Sequence, residues 1–206
     1  MSTIEHEQSK NERSYYEYAC IISKVMKDKI WHSLWHSDSF QPVERIYPDP
    51  SYYSFMKDLI STEPTKIISN IFLGTAFNAA DLKWLQENNI EVIVNVTPGI
   101  SNYFPNKFEY YNFDQVLDIG ASSLRPYYEK FYQIMEENVP QNRRILVHCF
   151  AGRSRSTSLV LYYMMRKYNW SLETALTYLK ERRPFININK TFIEEIQKML
   201  EENAVI

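Results

Sequence analysis

Only two cysteines, Cys20 and Cys149, stand in these 206 residues. That excludes a disulfide framework, and no Cys/His cluster has the spacing of a structural zinc site. Charge of one sign is not in excess either: a formal net charge of −2 argues against nucleic acid as a partner, while leaving room for a local basic pocket. No apolar run approaches the length of a membrane span, which speaks against stable membrane insertion. The opening stretch "MSTIEHEQSKNERS" is polar and charged, unlike a secretory signal. Internal repeats and low-complexity tracts are absent, and nothing calls for a cofactor. The expectation is a soluble protein of a reducing, cytoplasmic compartment, where a thiol stays free.

What is there is apolar and aromatic: 45% hydrophobic and 15% Phe, Trp and Tyr, with four glycines. That suffices for one well-buried domain plus an extension. Residues 1–14 read as a loosely held tail. Tyr18, Ile21, Ile22, Val25, Met26, Ile30 and Leu34 then recur near helical spacing and predict an amphipathic helix. A loop with Pro42, Pro48 and Pro50 follows, and Pro64 makes a boundary. The expected division is an N-terminal extension over 1–63 and an α/β domain over 64–206. Within the latter, "KIISNIFLGT" reads as one or two strands, and "NAADLKWLQENN" as a helix with Asn78 as its cap. "IEVIVNVT" reads as a buried parallel strand, "FEYYNFD" as another strand, and "SSLRPYYEKFYQIMEENV" as a helix. "ILVH" is the central strand, and three helices follow, the second opened by Ser171. Alternating strands and helices predict an α/β fold, a mostly parallel sheet with helices on both faces.

The chemistry concentrates in "RRILVHCFAGRSRSTSLV", residues 143–160. Cys149 stands where the strand ends and a helix begins near Ser154. The loop Phe150-Ala151-Gly152-Arg153-Ser154 therefore curls at a helix N-terminus, where free backbone N–H groups and the helix dipole favour an anion. The same field stabilises a thiolate. Arg155, six positions after the cysteine, offers a planar fork for two phosphate oxygens. A thiolate beneath a bound phosphate is a nucleophile in line for phosphoryl transfer to sulfur. A buried cysteine packing as a small hydrophobe is the plainer alternative, but it explains neither Gly152 nor Arg155.

"VHCFAGRSRS" closely resembles the signature loop of the cysteine-dependent dual-specificity phosphatases. "IISNIFLGTAFNAADLKWLQENNIEVIVNVT" resembles that family's opening strands and first helix, and "RPFININKTFIEEIQKML" its closing helix, so the resemblance covers about residues 64 to 202. It implies the family's fold, with Cys149 as nucleophile, Arg155 as phosphate ligand and Ser156 as the hydrogen bond that helps sulfur leave. His148 orients the loop and tunes the thiol. The family also needs a general acid. Two aspartates precede the helix leading into the central strand; aligning "RPYYEKF" with the family's helix favours Asp118, with Asp114 second. The family's Pro-Asn-x-Gly-Phe appears here as Ile188-Asn189-Lys190-Thr191-Phe192.

Resemblance also frames the substrate. No Trp-Pro-Asp loop occurs, and the domain is short, implying a shallow cleft that accepts phosphotyrosine and phosphoserine or phosphothreonine in proteins alike. The rivals are a phospholipid of the phosphatidylglycerophosphate or phosphoinositide type, an RNA 5′-phosphate, and a phospho-binding module without turnover. Arg153 is the lipid reading's best support, as an extra cation at the mouth; pairing with a rim acid is its plainer explanation. Trp31, Trp35, His32 and His36 mark the N-terminal helix. Packing onto the domain is its bland reading, a helix-mediated homodimer the sharper one. The His32/His36 pair lacks a third ligand, so no metal is expected. Cys20 reads as core, or as a resolving thiol for oxidised Cys149. Lys180, Arg182 and Arg183 read as a helix C-terminus complementing its dipole, or as a lure for an acidic substrate. The segment before Pro64 is short for a separate targeting domain, which predicts a stand-alone enzyme.

Overall fold

The structure is a computed structural model, and it describes residues 62–204 apart from 114–115 and 117–121. Five strands form one sheet in the order β1-β2-β5-β3-β4. They are β1 (Thr65–Ile68), β2 (Ile71–Gly74), β3 (Ile90–Asn95), β4 (Glu109–Asn112) and β5 (Arg144–His148). The tight turn through Ser69, at φ +48°, makes β1 and β2 an antiparallel hairpin. Every other pairing is parallel, with β5 in the centre between β2 and β3. This is the mostly parallel sheet that the alternation of elements implies.

Why the sheet is covered on both sides follows from its registers. Ile71, Ile145 and Val92 lie abreast, as do Leu73, Val147 and Val94. Side chains alternate along a strand, so these six share one face and enter the larger hydrophobic cluster. Phe72, Leu146 and Ile93 point the other way, into a smaller cluster with Trp84 and Leu85. The larger face is roofed by α3 (Arg125–Asn138), α4 (Arg155–Tyr168), α5 (Leu172–Arg182) and α6 (Lys190–Ala204). The smaller is roofed by α1 (Ala76–Ala79) and α2 (Leu82–Glu87).

One sequence expectation needs correcting here. The single helix capped by Asn78 is two short helices. Thr75 is the N-cap of α1 and Asn78 its third residue, the two bonding reciprocally as a capping box. Asp81 caps α2, its carboxylate accepting from the Trp84 N–H at 3.1 Å. Both threonine–asparagine and aspartate oxygens satisfy N–H groups that a helix start leaves bare. An apolar pattern continuous across Ala79 and Ala80 hides such a break.

α4 is the central helix. All residues from Arg155 to Met165 are buried, as expected of a helix sandwiched between sheet and helices, and from Leu159 to Met165 every face is apolar or aromatic. Its buried tyrosines keep their hydroxyls satisfied: Tyr162 faces Glu129 and Tyr163 faces Glu136. The helix ends at Asn169 in the left-handed conformation, and Ser171 opens α5 by accepting from the Thr174 N–H. The N-terminal helix, Cys20, the tryptophan–histidine set and the domain division at residue 63 fall on or against residues outside those described. β1 opens at Thr65, just past Pro64.

Candidate active site

β5 carries the chain to the C-terminal edge of the sheet, where His148 pairs laterally with Gly74 on β2 and Asn95 on β3. Cys149 follows at the switch from strand to loop. Residues 149–154 wrap over the start of α4, whose N-cap is Ser154. The wrap requires Gly152 at φ +61°; a Cβ there would meet the Gly74 carbonyl oxygen at 2.4 Å. Only glycine fits that approach.

The turn aims polar hydrogens at sulfur. The Gly152 N–H and the Ser156 hydroxyl each donate to Cys149 Sγ at 3.2 Å. Cys149 is only 1% exposed. Burial alone pushes its thiol up, but the Arg155 charge, the Ser156 hydroxyl and the backbone N–H groups of Ser156 and Arg153 outweigh it, so the thiol lies below its ordinary value. Donors and a cation around a buried sulfur favour its ionised form, the nucleophilic one. Arg155 is buried, and its Nη1 donates to the Val116 carbonyl at 3.3 Å. Val116 lies in sequence between the two aspartates considered as general acid; Asp114 and Asp118 themselves lie outside the described residues.

His148 is fully buried. Burial pulls its pKa down to about 4, with the Arg155 charge working in the same direction and a hydrogen bond donated to the Cys149 backbone against them. The ring is neutral at physiological pH. The rest of the loop is bolted to its surroundings. The Phe150 carbonyl accepts from Ala76 N–H at 3.0 Å, and its ring lies 6.0 Å from that of Phe77. Phe150 and Ala151 pack on the small cluster of Ala76, Phe77, Ala80 and Ile100. Ser154 Oγ accepts from the Asn189 N–H at 3.2 Å, tying the loop to the start of α6.

Arg153, the extra cation of the loop, pairs with no acid among the described residues. Its Nε donates to the Phe185 carbonyl at 2.8 Å, and its own carbonyl accepts from the Asn187 N–H at 2.9 Å. Thus the loop residues His148, Cys149, Phe150, Ala151, Gly152, Arg153, Ser154, Arg155 and Ser156 all converge. Among the described residues no cluster of three or more His, Cys, Asp or Glu is set to hold a metal, and no helix is long and apolar enough to cross a membrane.

Two contributors escaped the sequence reading. Asn95, buried at the end of β3, donates to Ile100 O and Asn102 Oδ1 and accepts from the Thr97 N–H, which shapes the loop beside the cradle. Arg183, read as a dipole-complementing end residue, is instead 0% exposed beneath the loop. Its signal was register: Ala175, Leu179 and Arg183 follow at i, i+4 spacing and all three are fully buried.

A thiolate and an arginine around a cradle of N–H groups, at the C-terminal edge of a parallel sheet, define a cysteine-based phosphatase site. The chain belongs to the family described as "Dual specificity phosphatase, catalytic domain", which matches residues 71–202. It is 38% identical over 134 residues to the protein phosphatase Slingshot of Drosophila melanogaster, covering 65% of this chain and 13% of that protein. It is 40% identical over 134 residues to a Slingshot homologue of Xenopus laevis, covering 65% of this chain and 19% of that protein. The chain thus spans less than a fifth of the length of these relatives. Among solved structures it resembles the human tyrosine phosphatase-like serine/threonine/tyrosine-interacting protein, with a TM-score of 0.66 and 26% identity over 69% of this chain and 98% of that one.

Proposed function

We propose that this chain hydrolyses phosphomonoesters through a phosphocysteine intermediate, acting on phosphotyrosine and on phosphoserine or phosphothreonine in proteins. The observation that carries the reading is the pair of donors, Gly152 N–H and Ser156 Oγ, set at 3.2 Å from a buried sulfur beside Arg155. The Cys149 thiolate attacks phosphorus while the bond to the leaving oxygen breaks, and that oxygen takes a proton from the general acid, assigned here to Asp118. Water, deprotonated by the same carboxylate, then attacks phosphorus and displaces sulfur, which the Ser156 hydroxyl stabilises as it leaves. Arg155 and the loop amides hold the equatorial oxygens throughout. A neutral His148 adds no charge to the cradle.

The Slingshot relatives are protein phosphatases by name, which favours a protein substrate over a lipid. A compartment that keeps the Cys149 thiol reduced, such as the cytoplasm, suits this chemistry. Phosphate release should be measured on phosphotyrosine and phosphothreonine peptides and on phosphoinositide and phosphatidylglycerophosphate vesicles. The expected result is turnover of both peptides that disappears in Cys149→Ser. Equal release by parent and variant removes the enzyme reading, and release from the lipids alone removes the protein substrate. Measuring molar mass in the same preparations, with and without residues 1–60, tests the homodimer.

A further inference from the structure

An arginine removed from both water and acid is costly to bury, and such a residue needs a reason. Arg183 caps the C-terminal end of α5 and is fully buried. Among the described residues no carboxylate pairs with it. Its Nε donates to the Gly152 carbonyl at 2.9 Å, and its Nη1 to Thr65 Oγ1 at 2.9 Å and the Glu63 carbonyl at 3.4 Å. Nη2 is buried without a hydrogen-bond partner, and the guanidinium lies 4.4 Å from the centroid of the Phe185 ring. Burial lowers its pKa to about 10, and the negative charge that works against this is the Cys149 thiolate. At neutral pH the group is a cation directed at the cradle.

The bond to Gly152 has a stereochemical consequence. A peptide unit is planar and trans, so its C=O and the next N–H point in opposite directions. With the Gly152 oxygen drawn outward by Arg183 Nε, and by the Thr157 hydroxyl at 3.4 Å, the Arg153 N–H must face the other way. That N–H is one of the donors that lower the Cys149 thiol. Gly152 at φ +61° has no side chain to resist rotation of this peptide, so an external bond has to fix it.

We propose that Arg183 is a positioning residue of the phosphate cradle: it holds the Gly152 carbonyl outward and so keeps the Arg153 N–H turned in, with Thr65 and Glu63 as its anchors. It acts through the loop and touches no substrate. This inference rests on the phosphatase reading, but it concerns the shape of the cradle and can be read without turnover. Among the described residues, the charged and titratable groups set against the thiol are Arg155 from α4, Arg183 from α5 and His148 from β5. A change of thiol titration with Arg155 and His148 intact is therefore assignable.

The test uses the full chain and three variants, Arg183→Lys, Arg183→Met and Thr65→Val, each checked for folding by circular dichroism. Two quantities are followed: the pH midpoint of thiolate absorbance, with Cys149→Ser as blank, and kcat and KM on a phosphotyrosine peptide. Arg183→Met should raise the midpoint by about half a pH unit or more and lower kcat roughly tenfold to a hundredfold. Arg183→Lys keeps the charge but cannot bond Gly152 and Thr65 together. Its midpoint should move less than that of the methionine variant, while kcat still falls about tenfold. Thr65→Val, far from the chemistry, should lower kcat a few-fold with KM unchanged. Folded lysine and valine variants with the parental kcat and midpoint overturn the proposal, whether or not the methionine variant folds. So does a set of variants that melt earlier but turn over at the parental rate when folded. If the parent hydrolyses no phosphomonoester and the midpoint still shifts, the phosphatase reading fails while the positioning role stands.

Discussion

His148 is a buried side chain at the cradle that should make the protein sensitive to acid. Its folded pKa of about 4 lies below the ordinary 6.5 because burial penalises the charged ring. As pH falls from neutrality the unfolded chain takes up this proton first. The stabilising contribution is therefore complete above the unfolded value, declines between about 6.5 and 4, and is gone below the folded value. Its full size is about 3 kcal/mol. Denaturant unfolding of the parent and of His148→Asn from pH 7 to pH 4 should give a steeper loss in the parent, the carboxylates being common to both. Parallel curves would mean that the ring is not held neutral. The residues gathered around the sulfur were legible as a group because a thiol, a glycine and a guanidinium at fixed spacing have few other uses. Arg183 was not, since its meaning depends on which face of α5 the helix presents. The bond from Arg153 to the Phe185 carbonyl was not legible either, since a tether cannot be read from residue type.

At the scale of elements, the turn between α1 and α2 is set by caps. Asp81 is buried, and its carboxylate accepts from the Trp84 N–H at 3.1 Å. In one continuous helix Asp81 would sit in the interior, where alanine is the better helix former, and Asp81→Ala would stabilise by a few tenths of a kcal/mol. As an N-cap its loss should destabilise by about 1 kcal/mol, lowering the melting temperature by roughly 2–4 °C. The two sequence patterns differ in nothing but the opposite sign of this effect, so a thermal melt decides. Strands were easier to read: "IEVIVNVT" and "ILVH" are β-branched and apolar on both faces because the sheet has helices on both sides. The tyrosine-rich α4 was legible as a helix, but the burial of Arg155 to Met165 followed only from its place between β5, α3 and α6.

The described residues form one sheet with two unequal roofs, and the site is built into the larger. α6 belongs to that roof: Phe192 and Ile196 enter the main cluster, the Phe192 carbonyl accepts from the Tyr128 hydroxyl at 3.2 Å, and Asn189 at the start of the helix bonds Ser154 of the loop. Trp84 is the aromatic counterpart beneath the smaller roof, edge-on to Phe72 at 5.7 Å. Truncating either ring leaves a cavity, and both Phe192→Ala and Trp84→Ala should cost about 3–5 kcal/mol, or roughly 6–20 °C in melting temperature. Their effects on catalysis should separate. Loss of Phe192 loosens the helix that anchors Ser154, so kcat of the folded variant should fall about tenfold or more at a temperature well below its melt. Trp84 packs on the face of the sheet turned away from α4 and α6, so Trp84→Ala should turn over near the parental rate under the same conditions. Equal losses of kcat in the two folded variants would mean that the cradle draws its rigidity from the domain at large; a loss confined to Phe192→Ala places it in the bond between α6 and the loop.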